Sequence, residues 1–148
     1  MTLFSDLRID HLSLRNFRCF AECDIGFDPQ LTVLVAENGS GKTAILDAVG
    51  IALGLFVDTV AGTRQSHGFD RSDVRLECIE NNVMVPTLPT EFIAHGCVAG
   101  QEIHWSRVLR GYSNRARSST KDAEDILQAA RGLRQSLQNE VSNVFSAP

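Results

Sequence analysis

The octapeptide AENGSGKT at residues 36–43 constrains this chain more than any other segment, because it joins the apolar run LTVLV to the apolar run ILDAVGIALGLF. Two glycines spaced one residue apart at such a junction let the backbone curl with its N–H groups turned inward. Gly39 and Gly41 carry no Cβ, so they take left-handed angles cheaply and let an anion approach the main chain. Lys42 follows with a mobile positive charge, and Thr43 with a hydroxyl at the first turn of the expected helix. The pattern is that of a P-loop (Walker A), G-x-x-x-x-G-K-[ST], with Ala36 where the first glycine stands. That departure touches only the hinge between strand and loop. The predicted ligand is ATP, its phosphates held by Glu37, Asn38, Gly39, Ser40, Gly41, Lys42, Thr43 and Ala44. Lys42 serves the β and γ phosphates, and Thr43 binds Mg2+. The helix N-terminus behind the loop adds partial positive charge.

The flanks predict how this loop is mounted. Residues 7–14 run into Asn16-Phe17-Arg18, and Cys23, Ile25 and Phe27 then alternate with Glu22, Asp24 and Gly26, which predicts two antiparallel strands. Asp28-Pro29 ends the second. Residues 31–36 are almost continuously apolar and predict a central strand covered on both faces. Past the loop, Ile45 to Leu55 leave hardly any polar face, so the helix starting near Lys42 is expected to be buried between layers. Residues 58–72 are expected to form a loop, Val74, Leu76 and Cys78 a strand, and residues 80–90, with two prolines, a further connection. Glu91 to Val98 and Gln101 to Leu109 flank Ala99-Gly100 as a hairpin, with Phe92, Ala94, Val98, Ile103 and Trp105 on its buried face. Ser119 and Asp122 resemble a capping box for a helix over about 120–141, in which Ala123, Ile126, Leu127, Ala130, Leu133, Leu137 and Val141 recur at helical spacing.

At 148 residues, with 43% hydrophobic and 22% charged residues, the chain has the size and composition of one soluble domain. No apolar run is read as a membrane span and no secretion signal stands at the start, so a cytoplasmic location is expected. Cys19, Cys23, Cys78 and Cys97 are read as thiols; the C-x3-C pair lacks a second pair at zinc-finger spacing. A formal net charge of -4 argues against a generally nucleic-acid-coating surface.

The runs LSLRNFRCF and DIGFDPQLTVLVAENGSGKTAILDAVGIAL resemble the opening of ABC-type ATPases related to the SMC and RecF proteins, and especially AAA-family ATPases of bacterial anti-phage and virulence-associated systems. The likeness covers about the first 55 residues. It implies an α/β P-loop NTPase of ABC-ATPase type with an antiparallel β-subdomain (a hairpin portion at about 73–110), the whole of residues 1–148 forming the first lobe. It further implies ATP hydrolysis in a complete protein, coupled to conformational change on DNA or a partner effector such as a nuclease, with a homodimer or a second ATPase lobe as partner. Arg18 is implied near the phosphates or the base; by residue type it reads equally as a solvated charge at a strand end. The acidic motif that holds Mg2+ and polarises water in such enzymes, and the serine-glycine signature, are not found. LGLFVD at 53–58 imitates the former but continues the P-loop helix, and the carboxylates to consider instead are Asp47, Asp58 and Asp73. A nucleotide-sensing module without turnover and a truncated remnant are the alternative readings.

Two weaker groupings remain. With a two-residue turn at Ala99-Gly100, His95 faces His104 and Cys97 faces Glu102, four metal-ligand types on one surface, although exposed hairpin faces are ordinarily polar. Arg107, Arg110, Arg115, Arg117 and Lys121, with Tyr112 among them, form a basic cluster read either as a phosphate-backbone contact or, preferably, as a solvated loop.

Overall fold

Alternation of polar His11, Ser13 and Arg15 with apolar Leu12 and Leu14 builds the first strand. In the computed structural model, which describes residues 7–63, 68–113, 119 and 122–145, strand β1 (Arg8–Phe17) pairs antiparallel with β2 (Phe20–Gly26) on one side. On its other side it pairs with β5 (Thr90–Val98), which pairs in turn with β6 (Gln101–Leu109). The order of this four-stranded antiparallel sheet is β2-β1-β5-β6. The predicted hairpin forms as expected: Ala99 and Gly100 take positive φ, and Ala94 faces Trp105. Phe92, Ala94, Val98, Ile103 and Trp105 are all buried.

The sheet's inner face is covered by helix α1 (Lys42–Ala61) and helix α2 (Glu124–Phe145). Trp105 ties sheet to helix, its Nε1 donating to the Ala52 carbonyl at 3.0 Å. Phe69 sits between Phe17 and Phe92 in tilted contact. Ala123, Ile126 and Ala130 carry α2 into the same core. A small second sheet pairs β3 (Leu76–Ile79) with β4 (Val83–Pro86).

Gly96 shows how tightly β1 and β5 approach. A Cβ there would run into the Arg8 carbonyl oxygen, where β1 bulges between Ile9 and His11. Because the obstruction is backbone, Gly96→Ala is expected to destabilise by about 1–3 kcal/mol. A denaturant melt of wild type and variant checks it, and equal midpoints would mean that the bulge relaxes freely.

Several expectations are corrected. Residues 31–36 form no strand: Leu31 is 73% and Val35 88% exposed, so the apolar run has neither a hydrogen-bonded neighbour nor a covering layer among the described residues. α1 is not buried between layers. Ala44, Ala48, Ala52, Gly54 and Phe56 form its buried side, while Leu46 is 62% exposed. By length and composition α1 is also apolar enough to cross a membrane, contrary to the reading that no such run exists; in this fold its small residues pack on the sheet. α1 runs to Ala61, inside the expected loop over 58–72, of which 64–67 lie outside the described residues. The expected connection at 80–90 contains β4, because Asn81 and Asn82 take the left-handed angles that reverse the chain. The last helix begins at Glu124, not near 120, and the Ser119 N–H donates to the Val108 carbonyl at 2.8 Å. The side chain of Val141 lies outside the described residues.

Candidate functional site

Gly39 at φ 84° and Gly41 at φ 97° hold the loop in the left-handed turns that its glycine spacing calls for. Ala36 lies outside the left-handed set, so the residue that departs from the P-loop pattern occupies a position where a Cβ is tolerated. Lys42 folds back over the loop, its Nζ donating to the carbonyls of Ala36 and Glu37, both at 2.6 Å. The ammonium thereby lies across the mouth of the turn.

Gly41 is also the N-cap of α1. No side chain caps it, and the first turn holds no acidic residue. The leading N–H groups of a 20-residue helix are therefore left without an intrahelical partner or a competing carboxylate, the arrangement that suits an anion. Gly41 is needed twice over. Besides its φ, a Cβ there would meet the Phe20 ring and, at 2.7 Å, the Cys19 sulfur. The β1–β2 turn is thus the floor against which the loop is set. Ser40, Glu37, Asn38 and Thr43 are exposed and Ala44 is buried beneath them, so the loop is an open shelf.

Arg18 sits in that same turn and is neither a solvated charge nor free to roam. Its Nε donates to Asp73 Oδ1 at 2.9 Å, Nη2 pairs with the same oxygen at 2.8 Å, and Nη1 pairs with Asp47 on the second turn of α1. Its own N–H donates to the Asp73 carbonyl at 2.8 Å. Arg18 holds φ 49°, a conformation that costs a non-glycine residue roughly 1–2 kcal/mol, and these bonds to a buried carboxylate offset it. Burial alone would lower its pKa, but the hydrogen bonds it donates to Asp73 and Asp47 outweigh that and keep it above the ordinary value. Asp73 in turn accepts the Asp70 N–H at 2.8 Å. Sequence reasoning missed this Asp47–Arg18–Asp73 bridge, since partners 29 and 55 positions apart leave no local signal.

The other candidates separate. The basic cluster is not a single solvated loop: Arg107 points inward at 5% exposure, its pKa lowered by that burial and partly restored by Asp58. Tyr112 is stacked under Arg71, 4.3 Å from guanidinium to ring centre. Arg110 is exposed, and Arg115, Arg117 and Lys121 lie outside the described residues. On the hairpin, His95 faces His104 and Cys97 faces Glu102 in the expected register, but Cys97 is buried. LGLFVD at 53–58 lies within α1.

Comparison with known proteins gives the family. The family model described as "AAA domain" matches residues 11–145. The chain is 33% identical over 121 residues to the DNA replication and repair protein RecF of Pseudarthrobacter chlorophenolicus, covering 80% of this chain and 27% of that one. It is 31% identical over 113 residues to the DNA double-strand break repair Rad50 ATPase of Halobacterium salinarum, covering 76% of this chain and 11% of the relative. A 44-residue stretch is 43% identical to RecF of Streptomyces avermitilis, covering 30% of this chain and 12% of that protein. The chain thus spans about a quarter or less of the curated relatives it matches. With a glycine loop leading into α1 and an antiparallel sheet beside it, the chain belongs to the AAA domain family, as an N-terminal lobe of the SMC/RecF-like P-loop ATPase type.

Proposed function

We propose that residues 37–44 bind the phosphates of ATP with Mg2+, as the nucleotide-binding half of an ATPase that acts in DNA repair. The observation that carries this is the loop itself: two left-handed glycines, a lysine folded across the turn, and an uncapped helix N-terminus without a first-turn carboxylate. Gly39 and Gly41 shape the cradle; backbone N–H groups of Ser40 to Ala44 face the phosphates; Lys42 exchanges its two carbonyl acceptors for phosphate oxygens. Thr43, exposed on the first turn, offers its hydroxyl to Mg2+, and the hard oxygen chemistry of that ion suits a hydroxyl and phosphates together. Arg18 stands on the turn that supports Gly41, held there by Asp47 and Asp73. The DNA-repair assignment rests on the relatives, and coupling of hydrolysis to conformational change, with a second lobe or copy completing the site, extends it to the whole protein.

Titration calorimetry with ATP, in the presence of Mg2+ and again in EDTA, tests the reading. Wild type should bind more tightly with Mg2+. Thr43→Ala should remove most of that difference while leaving metal-free affinity within about twofold, because one oxygen ligand is lost and the backbone cradle stays. An unchanged Mg2+ dependence in Thr43→Ala would take the metal-ligand role away from this residue.

A further inference from the structure

We propose a second, transition-metal site on the outer face of the sheet, formed by His11, His95 and His104. The three stand in one row across three strands: His11 on β1 faces His95 on β5, which faces His104 on β6. Cross-strand partners project to the same face. Here that is the face away from the helices, since the alternate residues Leu12, Ala94 and Trp105 are buried in the core. The rings are already neighbours, with centroids 6.0 Å apart for His11 and His95 and 4.1 Å for His95 and His104, both edge-on.

The row exists because of the bulge in β1. Ile9 faces Gly96, so an unbroken register would bring Asp10 opposite His95 and turn His11 toward the core. The extra residue moves His11 into line instead. That is why the sequence pattern pointed to His95 and His104 but not to the third histidine.

As the rings stand, no three of the described His, Cys, Asp and Glu side chains converge tightly enough to hold an ion. His95 and His104 are exposed, and His11 is half-buried, so they are placed to turn about their side-chain bonds. Strands lie about 4.8 Å apart, so the outer two histidines sit roughly 10 Å apart, a span two imidazoles can bridge over a central one at nitrogen–metal distances of about 2.0–2.1 Å. Three imidazoles with solvent at the fourth position favour Zn2+ and its neighbours over Mg2+. Glu102, two residues before His104 on the same face, adds negative charge nearby. The site is therefore separate in place and in metal chemistry from the P-loop.

Calorimetric titration of the chain with zinc chloride, without nucleotide, tests this. The expected result is one saturable equivalent and a raised melting temperature in wild type. Even a supporting partner of a metal ligand is worth about 10- to 100-fold in affinity, so His95→Ala, which removes the central ligand, should weaken binding by on the order of a hundredfold. His104→Ala should behave similarly, whereas Lys42→Ala should bind zinc as wild type does. Cys19→Ser/Cys23→Ser removes the thiols that could bind zinc in competition and should retain the equivalent. Absence of a saturable equivalent would overturn the proposal, as would one that survives in His95→Ala or disappears in the cysteine variant.

Discussion

Lys42→Ala is expected to lose about 10- to 100-fold in Mg·ATP affinity, because hydrogen bonds to charged groups contribute about 1.5–3 kcal/mol and this ammonium is the mobile one in the loop. The structure adds a second reason for a large effect. Lys42 holds two carbonyls, Ala36 and Glu37, at the start of the turn, so its removal also loosens the curl that presents the backbone N–H groups. The remaining contacts of α1 to the core begin at Ala44 and continue through Ala48 and Ala52, so the fold itself should be unaffected. Calorimetry with ATP, beside a circular-dichroism melt, separates the two consequences. Equal affinity in a variant that melts like wild type would remove the phosphate-binding assignment from residues 37–44.

The second large effect concerns turnover. The chain tested alone is expected to bind ATP yet release phosphate barely above background, since charge neutralisation and positioning are only part of what phosphoryl transfer requires. A carboxylate that orients water is the component expected to be lacking, and among the described residues each of the three candidates is placed for something else. Asp47 is paired with Arg18. Asp73 is buried and bonded to Arg18 and to the Asp70 N–H. Asp58 stands sixteen residues beyond Lys42 on the same helix, roughly 24 Å along its axis at 1.5 Å per residue, and interacts with Arg107. A steady-state phosphate-release assay at saturating ATP, with Lys42→Ala as blank, checks this. Robust turnover that disappears in the blank would show that one of these carboxylates moves to the nucleotide. Asp47→Asn is then the first substitution to make, because its ion pair is more exposed than that of Asp73.

How much was legible from residues alone varies with the range of the interaction involved. The P-loop was legible because its determinants are local: glycine at two positions with positive φ, then lysine and threonine at a helix start. The β5–β6 hairpin was legible for the same reason, as Ala99-Gly100 sets the turn and strict alternation sets which of Phe92 to Trp105 face inward. Residues 31–36 were misread because a continuous apolar run signals burial but cannot supply the neighbouring strand and layer that burial needs. α1 was misread in the same direction: its composition is apolar all round, but the packing of small residues at Ala44, Ala48 and Ala52 selects one side for the core.

By itself, then, the sequence determined the local backbone conformation of the glycine loop, the pairing of the β5–β6 hairpin and the existence of two long helices, each set within a few residues by turn type or periodicity. Only the tertiary structure decided that Arg18 is clamped between Asp47 and Asp73 and that the β1–β2 turn supports Gly41. It also decided that Arg107 turns inward and that a one-residue bulge aligns His11 with His95 and His104. Those facts join residues from separate strands and helices, and their energies arise from contacts that exist only once the chain has packed.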